Sequence, residues 1–132
     1  MNRIILVFSL LVLVASCKNH TGNDSPAGNG AYMYFQEISK DAGKIKQGDT
    51  LFCTYIVENR GKSDLLIKNV RPSCGCTGAR YEQKPIAPKG TGKITLIFAT
   101  NGKVGKFSKN ATVIANTKPE TAILSFNCEV IK

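Results

Sequence analysis

The mature part of this chain reads as an all-β domain, an immunoglobulin-like β-sandwich of about seven strands. Three observations point there. Apolar and β-branched residues recur with a period of two, turn residues punctuate the runs every ten or so positions, and no helical periodicity is visible.

Taken in order, residues 32–38 form the first expected strand. Gln47-Gly48-Asp49 is a turn, and residues 50–58 follow as a second strand, with Leu51, Cys53, Tyr55 and Val57 on one face. Residues 59–64, Asn-Arg-Gly-Lys-Ser-Asp, supply a strong turn signal, because Asn and Gly tolerate backbone angles closed to most residues. A third strand spans 65–70 and stops at Pro72. The stretch from the Cys74-Gly75-Cys76 element to Lys84–Gly90 reads as a long irregular crossing. Strand character resumes over 92–99, breaks at a turn over 102–105, and returns over 108–115 and 121–130. In the last run Leu124, Phe126, Cys128 and Val130 share a face. Seven or so strands in about 100 residues match an immunoglobulin-like sandwich.

The N-terminus has a different character. Arg3 precedes an apolar run from Ile4 to Val14, eleven residues, and small residues lead to Cys17. This is the order of a secretory signal, and the run is shorter than the roughly 20 residues of a spanning helix. Val14-Ala15-Ser16-Cys17 resembles a bacterial lipobox, which implies removal of residues 1–16 and acylation of Cys17. Such a lipid anchors a protein without spanning the bilayer, each buried methylene contributing about 0.8 kcal/mol. Residues 17–30, rich in Gly, Asn and Ser, read as a lipidated flexible tether, and the folded domain is 31–132. The only histidine, His20, lies in that tether and has no catalytic company. Acidic residues that would favour export to the surface do not follow Cys17. Lys18-Asn19-His20 does, and the expected place is the periplasmic side of the outer membrane.

The formal charge is +9, and loss of Arg3 with the signal lowers it to +8. Lysines are spread singly, with no basic run interleaved with aromatics, so the surplus reads as a solvated surface near an anionic membrane. Nucleic acid is not an expected partner of an exported chain. The expected partners are the membrane, through Cys17, and an envelope protein or glycan.

Besides Cys17 the chain has Cys53, Cys74, Cys76 and Cys128. An even number in an exported chain favours disulfides, with three possible connectivities. Cys53 and Cys128 both fall on apolar strand faces. A core bridge between them, about 75 residues apart, would contribute about 4–5 kcal/mol in the chain-entropy model. The other state open to them is a pair of buried free thiols. Cys74 and Cys76 admit three uses. A bridge between them would close a small, readily reduced ring, and Gly75 gives the backbone the freedom to close it. As thiolates they suit Cu(I). As a staple they would rigidify the turn leaving the third strand. A catalytic thiol needs a base or cation beside it; Arg71 and Arg80 are near in sequence, but no general base and no acid/base pair can be named. No enzyme activity and no resident cofactor are therefore expected.

The ordered set Gly48-Asp49, Phe52, Val57-Glu58-Asn59-Arg60-Gly61, Leu65, Ile67, Val70, Ser73-Cys74-Gly75-Cys76-Thr77, Pro85-Ile86-Ala87-Pro88, Gly90, Gly92, Gly105 and Lys109 resembles a bacterial domain-of-unknown-function family marked by a Ser-Cys-Gly-Cys-Thr signature. The resemblance covers nearly all of residues 33–131. It implies an immunoglobulin-like fold related to major sperm protein and cilium-associated domains, in exported proteins and small lipoproteins. Cys53 and Cys128 depart from the family pattern.

Overall fold

The structure is a computed structural model that describes residues 28–132. The expected signal (1–16), the lipidation position Cys17, His20 and most of the tether lie outside the described residues. Eight strands are present among those described: β1 (Met33–Phe35), β2 (Ser39–Lys46), β3 (Thr50–Asn59), β4 (Ile67–Pro72), β5 (Thr77–Tyr81), β6 (Thr91–Ala99), β7 (Gly105–Ala115) and β8 (Thr121–Ile131). They form two four-stranded sheets, ordered β1-β3-β6-β5 and β2-β8-β7-β4. All ladders are antiparallel except β2 with β8, which is parallel.

Two strands lie beyond the six runs named in the sequence. The expected first strand, 32–38, is cut short to β1, which pairs with β3; the chain crosses at Gln36–Ile38, and β2, in a stretch where no strand was expected, joins the other sheet. The sequence hides β2 because its inward positions are only Lys40, Ala42 and Ile45, and a bulge at Gly43 (φ 67°) breaks the alternation. The irregular crossing contains the other, β5, whose five residues are too short and too polar to register.

Period-two patterning builds the core. Cys53, Tyr55 and Val57 of β3, Ile94, Leu96 and Phe98 of β6, and Leu124, Phe126, Cys128 and Val130 of β8 all point inward and are buried. Phe98 sits among aromatic neighbours, its centroid 5.5 Å from that of Phe107 and 5.8 Å from that of Phe126. Tyr55 carries a polar tip into this core and donates its hydroxyl to the Ser125 carbonyl across the sandwich, at 2.5 Å.

The two ends differ. At one end the chain enters: Ala31 bridges to Thr117, and the Gly30 and Tyr32 carbonyls accept from Lys62 and Arg60. Asn59, fully buried, organises that end with four hydrogen bonds. Its amide donates to the Ser63 and Ile86 carbonyls, both at 2.8 Å, and its oxygen accepts from Gly61 (3.0 Å) and Tyr32 (3.3 Å). Gly61 is required there, since a β-carbon would lie 2.5 Å from the Tyr32 nitrogen. At the opposite end the turns before β3 and β7 meet. The Thr100 hydroxyl donates to the Lys46 and Asp49 carbonyls, which ties the 47–49 and 100–104 turns together.

Candidate functional site: the Cys-Gly-Cys corner

β4 and β5 are edge strands of different sheets, so the four residues Ser73–Cys76 carry the chain from one sheet to the other. The register places this corner at the end opposite chain entry, because Thr77 stands opposite Phe98, two residues before Thr100. The Cys74-Gly75-Cys76 element and the turn expected over 102–105 therefore share one end.

Cys74 and Cys76 form a disulfide, with Cα atoms 5.4 Å apart. Gly75 is exposed between them, and a β-carbon there would meet nothing within 4 Å. Ser73 N–H donates to the Asn110 carbonyl (2.9 Å) and Thr77 N–H to the Cys74 carbonyl (3.2 Å), which fixes the turn on both sides. The buried Thr77 hydroxyl lies 3.5 Å from the Cys74 sulfur and 4.0 Å from the Cys76 sulfur. Both cysteines are half-buried, and Cys76 packs against the core. In the sequence Thr77 stands only as the last residue of the Ser-Cys-Gly-Cys-Thr signature, with no role of its own; the structure gives it one beside both sulfurs.

Outside the corner, the outer face of the β1-β3-β6-β5 sheet presents an apolar row. Phe52 (59% exposed) is opposite Ile97, which is opposite Gly78. Arg71 and Arg80, proposed neighbours of a reactive thiol, are exposed.

The core bridge between Cys53 and Cys128 is corrected. Both side chains point into the core as expected, but they are free thiols. They belong to facing sheets, and each keeps its own thiol, packed as a small buried hydrophobe. The rings of Phe98, Phe107 and Phe126 fill the same layer. Burial pushes the Cys53 thiol up from its ordinary range, the nearby Cys128 adds to that, and Lys40 opposes it. Burial likewise raises Cys128, with Lys109 opposing and Asp41 reinforcing. Both stay protonated and unreactive at neutral pH.

Among the described residues no group of three or more His, Cys, Asp or Glu side chains gathers as a metal site, so Cys74 and Cys76 would bring two sulfurs and no third ligand. A groove of about 550 Å³ runs beside the β2 bulge, lined by Asp41, Lys44, Lys106, Asn127 and Glu129, away from the corner.

Residues 33–130 match the family described as Protein of unknown function (DUF1573). The chain belongs to that family. No curated protein matches it in sequence. Among solved structures it is similar to a protein of unknown function from Porphyromonas gingivalis W83, with a TM-score of 0.67 at 16% identity over 81% of this chain and 51% of that one. The chain thus spans about half the length of that relative. It is also similar to the ASH / PapD-like domain 7 of human CEP192, with a TM-score of 0.60 at 13% identity over 80% of this chain and 89% of that one. A family 123 glycoside hydrolase from Clostridium perfringens is similar at a TM-score of 0.52 and 9% identity, over 79% of this chain and 26% of that one. These likenesses establish the immunoglobulin-like sandwich of this DUF1573 domain.

Proposed function

We propose that this DUF1573 chain is a lipid-anchored, non-enzymatic binding module of the bacterial envelope, held by acylated Cys17 on the periplasmic side of the outer membrane. One observation carries the reading: the chain enters the sandwich at the end opposite the disulfide-stapled corner. A domain tethered there presents the corner, with the 100–104 turn, away from the membrane. Sandwiches commonly bind through such end loops, and a turn pre-ordered by a staple loses less entropy on binding. An envelope protein or glycan is the partner class.

Metabolic labelling with an alkyne fatty acid, followed by fractionation, tests the anchor. The wild-type full chain takes label and sediments with membranes, while Cys17→Ser does neither and keeps its folding. Label retained by Cys17→Ser, or absent from wild type, overturns the reading.

The half-exposed disulfide supports a second reading, a dithiol/disulfide couple. Opening it takes two electrons and two protons from a dithiol reductant, and the resulting thiolates would suit Cu(I). Reversible opening by mild reductant without loss of fold, followed by Cu(I) uptake, would favour this over a staple.

A further inference from the structure

We infer that the free edge of β5 receives an extended, acidic segment of a partner protein as an added strand. This deepens the binding reading above and rests on it.

The four sheet edges differ in what they leave unpaired. Unpaired edge strands invite pairing, and proteins normally blunt them. Among the described residues three are blunted. β1 has three residues. β2 is interrupted by its bulge, and the Asp41 carboxylate accepts from the Gly43 N–H at 2.9 Å. On β4, Ser73 N–H donates to Asn110, so by the alternation of an antiparallel ladder Val70 and Pro72 face outward. The Val70 N–H is taken by the Asn69 side chain at 2.8 Å, and Pro72 has none. Neither offers a donor.

β5 differs. Glu82 N–H donates to the Lys93 carbonyl, so Arg80 and Gly78 face β6, while Thr77, Ala79 and Tyr81 face away. Thr77 N–H is spent on the Cys74 carbonyl. Among the described residues the N–H and C=O groups of Ala79 and Tyr81 make no backbone bond, and the link across this edge is the Tyr81 hydroxyl donating to the Lys68 carbonyl of β4 at 3.5 Å; the strand has a regular register and neither Lys nor Pro. The disulfide fixes the start of this strand, so it is an ordered template.

Charge selects the occupant. Arg80 and Lys93 stand on the outer face by this edge, and Lys68 and Arg71 on the adjoining β4. None of the four belongs to a salt bridge among the described residues. The one carboxylate close by in sequence, Glu82, accepts from the Lys84 N–H. A second copy, which carries the same positive surplus, is disfavoured. An added strand with carboxylates at alternate positions pairs its backbone with Ala79 and Tyr81 and its charges with these cations.

The test uses the full chain in mild detergent and a blocked peptide of about six residues with alternating Glu and Thr. Hydrogen exchange at single-amide resolution should slow about tenfold or more at Ala79 and Tyr81 when the peptide is added. A Lys-for-Glu peptide should have no effect. Ala79→Pro, which removes an outward donor, should abolish the protection at Tyr81. In case that variant misfolds, two peptides N-methylated on alternate sets of amides provide an independent check: one set should bind and the other should not. Equal behaviour of the two, or unchanged Ala79 and Tyr81 exchange, overturns the proposal. Protection that grows with protein concentration alone also overturns it, in favour of a second copy. Loss of pairing with membrane attachment through Cys17 intact would refute the added strand and leave the anchored module standing.

Discussion

Replacing Asn59 by Ala should destabilise the domain by about 3–5 kcal/mol. The side chain is fully buried and makes four hydrogen bonds, each worth about 1 kcal/mol net. One of its partners, the Gly61 N–H, belongs to a buried residue and would be left without an acceptor, whereas the Ile86 carbonyl keeps the Leu65 N–H. That orphaned donor raises the cost above a simple sum, whereas Tyr32 and Ser63 lie where water can replace part of what is lost. A domain of this size is stable by about 5–15 kcal/mol, so the variant should still fold at low temperature. Urea unfolding followed by circular dichroism measures the change, with the slope m unaltered. Asn59→Asp is the informative companion: it keeps two acceptor bonds, loses both donor bonds, and buries a charge, so it should cost at least as much as Ala. A loss below about 1 kcal/mol for Asn59→Ala would refute the claim that this residue holds the chain-entry end together.

Other outcomes follow from the same contacts. Tyr55→Phe, which deletes the bond across the sandwich to Ser125, should cost about 1–2 kcal/mol by urea unfolding. Stability should fall as pH rises above about 9, because the buried Cys53 and Cys128 thiols and the Tyr55 phenol, whose ordinary values are 9.0, 9.0 and 10.0, are all held protonated in the fold. The unfolded chain then binds fewer protons than the native one, so each group's slope approaches about −1.4 kcal/mol per pH unit between its unfolded and folded values. Thermal unfolding from pH 7 to pH 11 reads this, and Tyr55→Phe should flatten the part above pH 10. Replacing Cys74 and Cys76 together by Ser should cost about 1.5 kcal/mol, the chain-entropy value for so short a loop, and should speed exchange of the Thr77 amide.

The sandwich was legible wherever a strand has one buried face, as in β3, β6 and β8, because alternation records burial directly. It was illegible at the edges. β2 buries little and is broken at Gly43, and β5 gets its identity from pairing with β6 rather than from its own apolar content. The corner was legible as a motif, Cys-Gly-Cys before Thr77, but its position depends on β4 and β5 lying in different sheets, a long-range fact. Cys53 and Cys128 show the opposite limit. Their faces were readable, but whether two inward thiols bond depends on how they meet across the two sheets, which strand patterning does not encode. Asn59 read as a turn residue because nothing local records the four partners that bury it.

The most direct test is the intact mass of the full chain purified from bacterial envelopes, with thiol alkylation before and after unfolding. The account predicts a chain that begins at Cys17 and carries acyl groups. It predicts no alkylation in the native state, two alkylated thiols on unfolding without reductant, and four once reductant is added. An unlipidated chain, or one that keeps residues 1–16, would contradict the anchored module. Four alkylated thiols without reductant would contradict the stapled corner.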